Sequence, residues 1–221
     1  MARRVKVWDL PVRLFHWSLV VLVVFSFTTG NLGGDWMEWH LRSGYSILAL
    51  VLFRIVWGLT GSQTARFSEF VHGPKRVLGY ARSLLRGSAP FHAGHNPMGG
   101  LMIVLLLSLL AVQTTTGLFA DDEVATRGPL TDKVSDAMVR LFTRVHRINV
   151  KVLVACVALH ICAALYYLMA KKDNLIKPLI TGTKAIPDDH PAPALSGHAP
   201  AVIILVVAAA FVVWLVQFYP G

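Results

Sequence analysis

The chain has 221 residues, 55% hydrophobic and 15% charged, where soluble domains run at about 45–50% and 25%. That balance excludes a disordered, fibrous or nucleic-acid-coating protein. A net charge of +9 ordinarily raises nucleic acid as a partner, but long apolar runs point to a membrane, where Lys and Arg mark the cytoplasmic side. No nucleic-acid partner is expected.

A membrane-crossing helix needs about 20 mostly apolar residues. Five stretches qualify: residues 15–30, extended by Asn31, Leu32 and Gly33, then 41–59, 98–119, 148–169 and 201–219. The first follows a basic start that mimics a secretory signal. It lacks a small-x-small cleavage site and carries His16 and Trp17, so it reads as a retained span. Residues 1–183 form one four-helix unit, 184–200 a Pro-rich linker that reads as flexible, and 201–219 a fifth helix. No internal repeat is evident.

The basic residues set the orientation. Thirteen lie in residues 1–14, 61–97 and 171–198, against six in the two remaining loops, where 119–147 also carries five acidic residues. The N-terminus and the 61–97 and 171–198 loops are therefore cytoplasmic, and the C-terminus periplasmic, in a bacterial inner membrane. Residues 74–85 read equally as an amphipathic helix on the inner surface or as a solvated basic loop.

Ionisable residues inside spans are costly and usually functional. Four histidines stand in or at the ends of spans: His16, His40, His146 and His160. His146 and His160 are fourteen residues apart, so on a helix they lie about 40° from one face and about 21 Å apart. Matched by depth, His16 pairs with His160 on the inner side and His40 with His146 on the outer side. Zinc takes three or four ligands at a point. Two facing imidazoles suit haem iron, and with no Cys-x-x-Cys-His motif two non-covalent b haems are expected.

Other residues surround these pairs with two readings each. Arg54, at the depth of the inner pair, meets a haem propionate or snorkels to the interface. Arg42, Arg144 and Arg147 flank the outer pair as propionate partners or as ordinary interfacial arginines. Gly44, Gly99, Gly100 and Gly117 leave room for a porphyrin face or for close helix packing. His95, in Gly-His-Asn-Pro, reads as solvated or as a contact to a propionate or quinone. Cys156 and Cys162 read as packed thiols. A quinone head group, ubiquinone or menaquinone, is expected among Arg54, His95, Tyr167, Lys171 and Asn174.

The chain resembles the prokaryotic cytochrome b561 family, which includes the cytochrome b subunits of membrane-bound nickel–iron hydrogenases. The matching pieces are Val7-Trp-Asp-Leu-Pro-Val-Arg-Leu-Phe-His-Trp17, His40-Leu-Arg-Ser-Gly-Tyr45, Phe53-Arg-Ile-Val-Trp-Gly58, Gly94-His-Asn-Pro97, and the His146…His160 span ending in Lys172-Asp-Asn-Leu175. The resemblance implies an all-α membrane bundle of four helices, with two b haems on these four histidines. It also implies electron transfer between the quinone pool and a partner. A periplasmic c-type cytochrome, which the acidic run Asp121-Asp122-Glu123 would attract, or a hydrogenase-like protein is the expected partner. A self-contained superoxide:quinone oxidoreductase is the rival reading; the neutral outer loop does little to attract an anion. The fifth span carries no charge and reads as an anchor against lipid, a partner or a second copy of the chain.

Overall fold

The computed structural model describes residues 2–188 and 190–219. In chain order it runs β1 (Ala2–Lys6), α1 (Leu10–Leu32), α2 (Met37–Thr60), α3 (Phe67–Phe70), α4 (Pro74–Leu85) and α5 (Pro97–Gly117). There follow α6 (Asp136–Met169), α7 (Ile176–Thr181), β2 (Thr183–Pro187) and α8 (His198–Gln217). Among the described residues α1, α2, α5, α6 and α8 are long and apolar enough to cross a membrane. The molecule is a multi-pass helical membrane protein.

Local chemistry explains where the spans start. Asp9 Oδ1 accepts from the Val12 N–H at 2.7 Å, capping α1. Asn96 Oδ1 accepts from the Gly99 N–H at 2.8 Å, and Pro97 opens α5 where a missing N–H costs nothing. At the far end of α1, Gly33 takes φ +66, which turns the chain sharply into α2. Residues 74–85 are indeed helical, with Tyr80 buried and Lys75, Arg76, Arg82 and Arg86 exposed.

The fourth span differs most from the expected 148–169. Its helix begins at Asp136 and runs 34 residues, about 51 Å at 1.5 Å per residue. That exceeds a hydrocarbon core of about 30 Å, so its first turns, carrying Arg140, Arg144 and Arg147, stand clear of the bilayer. Hydropathy finds only the lipid-crossing part of such a helix, because charged residues end the apolar run without ending the helix.

The bundle is two antiparallel pairs, α1 with α2 and α5 with α6, joined where α2 packs on α5. Ile47, Val51, Leu110 and Leu153 fill the middle of that junction. Around the end of the bundle that carries the N-terminus Val7, Trp8, Phe15, Phe53, Trp57 and Ile186 form a second core cluster.

The expected flexible linker is tied down instead. Residues Thr183–Pro187 pair antiparallel with Ala2–Lys6, Arg3 opposite Ile186 and Val5 opposite Lys184. Farther on, the Gln63 N–H donates to the Ala194 carbonyl at 2.9 Å and the Ser196 N–H to Ser62 Oγ at 2.9 Å. The Pro/Ala composition excluded a helix there but carried no sign of a strand whose partner is at the other end of the chain. The fifth span is not a detached anchor. Its small residues Ala201 and Ala208, with Val212, are buried as α8 packs along α2. Cys162 is exposed on α6 and Cys156 is half-buried, so neither is a fully packed thiol.

Candidate metal centre

The outer histidines sit on different helices and face each other. His40 is in the first turn of α2 and His146 lies inside α6. Their ring centroids are 6.2 Å apart and their planes meet at 89°. Two metal–imidazole bonds of about 2 Å, plus the span from each nitrogen to its ring centre, also come to about 6 Å. The separation therefore fits one metal ion held from both sides.

The hydrogen bonds fix which nitrogen carries the proton. His40 Nδ1 donates to the Ser26 carbonyl at 2.9 Å, with Ser26 Oγ at 3.3 Å. His146 Nδ1 donates to the Gln113 carbonyl at 2.9 Å, with Thr116 Oγ1 at 3.4 Å. The Gln113 side-chain amide stands 3.0 Å from His146 Nε2, while Gln113 Oε1 accepts from Asn149 Nδ2 at 2.7 Å. With Nδ1 carrying the proton, Nε2 holds the lone pair, the form a metal requires; at His146 that lone pair accepts from the Gln113 amide, which a bound metal would replace.

The inner side is built differently. Arg54 is 3% exposed, so it does not snorkel to water. Its guanidinium lies over the rings of Phe67 and Phe70 at 5.2 and 5.9 Å. His95 is wedged between Trp8 and Phe70, with ring centroids at 4.5 and 4.8 Å. Burial pushes the His95 imidazole down to about 3, and Arg54, His160 and His16 are close enough to add to the effect. These four side chains thus share one region. In it His16 Nδ1, Arg54 Nη1 and His95 Nδ1 are buried with no hydrogen-bond partner. Buried orphans of this kind are rare, and three together fit the carboxylate groups and metal of a bound cofactor. The cationic contribution is Arg54's, because His95 stays neutral.

The model of the family described as prokaryotic cytochrome b561 matches residues 7–182. The chain belongs to the prokaryotic cytochrome b561 family. As such it is a b-type haem protein of membrane electron transfer. Two relatives described as "Probable Ni/Fe-hydrogenase B-type cytochrome subunit", from Azotobacter vinelandii and Azotobacter chroococcum mcd 1, are each 25% identical to it. In both cases the match covers 85% of this chain and 91% of the relative. No solved structure matches.

The remaining site residues of this cytochrome b561 family member separate into three groups. Tyr167 and Lys171 do meet, in a cavity of about 250 Å³ at the C-terminal end of α6, lined also by Tyr80, His92, Asn96 and Lys184. There the Tyr167 hydroxyl is 2.9 Å from the Tyr80 hydroxyl and accepts from Asn96 Nδ2 at 3.0 Å. Burial holds His92 below the usual imidazole range. Asn174 is elsewhere: its Oδ1 accepts from the Ile176 and Lys177 N–H groups at 3.0 and 2.8 Å and caps α7. Local capping competes for any Asn near a helix start, and the sequence reading gave it no weight.

Arg42 turns away from the histidines. It pairs with Glu38 one turn back and lies over Trp39 at 5.3 Å, both groups exposed, which is the interfacial alternative. Arg144 and Arg147 are exposed beside His146. No atom lies within 4 Å of where a Cβ on Gly44 would stand, so the space one turn after His40 is open. At Gly100 the Phe70 carbonyl approaches to 2.3 Å of that position, so close packing explains it. Gly117 is cleared for the His146 ring rather than for a flat ligand.

Three functional residues escaped the sequence reading. Gln113 and Asn149, amides inside apolar spans, were a visible signal. Asp9 is 4% exposed, and besides capping α1 its Oδ2 accepts from Trp57 Nε1 at 3.0 Å.

Proposed function

We propose that this chain is an inner-membrane di-haem cytochrome b passing electrons between a periplasmic redox partner and the quinone pool. His40 and His146 hold the outer haem and His16 and His160 the inner one. The observation that carries the reading is the outer pair: two imidazoles 6.2 Å apart, each with Nδ1 committed to a backbone carbonyl. A haem iron bound on both faces supplies a one-electron couple with no coordination position open to substrate.

The chain's own groups do the rest. Arg54, with His95 beside it, is placed to bind the propionates of the inner haem, and Arg144 and Arg147 flank the outer one. At the cytoplasmic end, Tyr167, held by Tyr80 and Asn96, presents its hydroxyl to a ubiquinone or menaquinone carbonyl. Lys171 and His92 line the same cavity; His92, neutral at pH 7, accepts or returns a proton at its ring nitrogen. The name of the Azotobacter relatives supports a hydrogenase-like protein as the periplasmic partner; a c-type cytochrome also fits. Asp121, Glu123 and Asp136 line a concavity on the outer side together with Arg127 and Arg140, a mixed-charge surface that such a partner could meet.

The test is a haem count on the purified protein with a reduced-minus-oxidised spectrum. Two b haems per chain are expected, and H40A and H146A should each retain one. A wild-type count of one, or H146A retaining both, would sink the proposal. Reduction by a quinol analogue should weaken about tenfold or more in Y167F if the tyrosine hydroxyl binds the quinone.

A further inference from the structure

The two outer histidines are braced by two short segments of similar sequence. Ser26-Phe-Thr-Thr-Gly30 closes α1 and Gln113-Thr-Thr-Thr-Gly117 closes α5. Aligned position by position, the two segments make the same contacts. The first residue's carbonyl, Ser26 or Gln113, accepts a histidine Nδ1–H at 2.9 Å in both cases.

The fourth residue reinforces that carbonyl. Thr29 Oγ1 donates to the Phe25 carbonyl at 2.9 Å and approaches the Ser26 carbonyl at 3.2 Å. Thr116 Oγ1 does the same with Val112 at 2.7 Å and Gln113 at 3.2 Å. Thr29 and Thr116 are 1% and 6% exposed, so neither hydroxyl has water as an alternative. Back-bonding of this kind bends a helix end and re-aims its carbonyls.

The fifth residue makes room. A Cβ on Gly30 would stand 2.7 Å from His40 Nδ1, and one on Gly117 3.0 Å from His146 Cε1. Both rings therefore lie against bare backbone, one turn beyond the carbonyl they bond. Each histidine sits on the second helix of an antiparallel pair and is braced by the first. Among the described residues nothing equivalent holds the inner side, where His16 Nδ1 is buried without a partner.

We infer that these two Thr-Thr-Gly segments are a matched cradle that positions the outer haem ligands: the carbonyls hold the Nδ1 proton, the threonines aim the carbonyls, and the glycines set the ring planes at 89°. Thr29, Gly30, Thr116 and Gly117 are positioning residues that act through His40 and His146. The inference rests on the bis-histidine reading of the outer site. Outer-shell partners of metal-bound histidines are typically worth about 10–100-fold in metal affinity. Were a haem iron held between these two rings, their crossing at 89° would be expected to give a ferric EPR signal at unusually high g.

The experiment compares the full-length haem-loaded protein with G30A, G117A, T116V and T116S. Ferric EPR and the rate of haem transfer to apomyoglobin are the readouts. Wild type should show a high-g signal that H146A removes. G30A and G117A should lose or shift that signal and release the outer haem about 10–100-fold faster, with the inner signal unchanged. T116V should release it faster and T116S should restore the wild-type rate, which a mere packing defect at a buried methyl would not require. Wild-type behaviour of both glycine variants, or T116S behaving as T116V, overturns the cradle alone. If H40A and H146A both retain two haems, the bis-histidine reading falls and the cradle with it.

Discussion

Arg54 concentrates the physics of the inner site in one side chain. A guanidinium that is 3% exposed, with Nη1 unpartnered, is costly unless anions offset it; the buried Asp9 carboxylate is close enough to do so in part, and Nη1 is left for another. Its aromatic neighbours Phe67 and Phe70 offset only about 0.5–2 kcal/mol of that. If it binds a propionate of the inner haem, a buried positive charge there favours the reduced state. Arg54→Leu should then lower the inner midpoint potential. At about 10 Å and an effective dielectric of about 20 the interaction is about 1–2 kcal/mol, tens of millivolts for a one-electron couple. A redox titration resolving the two haems checks it; an unchanged inner potential would remove Arg54 from the site. The position of Arg54 on the second span was legible in the sequence. Its burial was not, because snorkelling or packing is decided by whether Phe67 and Phe70, on a separate short helix, close over it.

At the scale of elements, Asp9 joins two helices: it caps α1 and receives Trp57 from the far end of α2. Asp9→Ala loses both bonds and leaves the indole N–H buried and unpaired. A loss of about 2–4 kcal/mol is expected, read as a lower unfolding temperature in detergent, with Asp9→Asn recovering only part of it, because its single oxygen can accept from Val12 or Trp57 but not both. The β1–β2 ladder is a second joint. Ile186 is fully buried and sits opposite Arg3. Ile186→Ala should cost about 2–5 kcal/mol and open the neighbouring segment 188–197 to proteolysis, while Leu195→Ala, on a half-exposed residue, should not. Neither joint could be read from the sequence. The helix pattern of α1 and the capping Asp were visible, but a strand of five residues with a partner some 180 positions away leaves no periodic signal. By contrast α4 was legible as a helix because its basic and apolar residues recur at helical spacing within twelve positions.

For the whole molecule, α2 is the axis on which α1, α5 and α8 pack. Its burial exceeds that of the other spans, and α8 covers part of it through Ala201, Ala208 and Val212. Removing residues 198–219 should leave the histidines in place, so two haems per chain are expected, but exposes the α2 face that α8 covers. The unfolding temperature should fall by about 5 °C or more. An unchanged temperature would return α8 to the role of a plain anchor.

Five spans, their approximate limits and the places of the four histidines along them were legible in the sequence alone. Hydropathy and charge act residue by residue against an external reference, the bilayer, and helical rise converts sequence distance into depth. The tertiary structure alone decided the rest. It turned His40 and His146 to face each other at 6.2 Å, set the Ser26 and Gln113 carbonyls behind them, buried Arg54, and drew the linker into a strand. Each of these is a contact between separate elements, which no local pattern encodes. The repeated Thr-Thr-Gly was in plain view, yet it gained meaning only when two distant histidines were found lying on it.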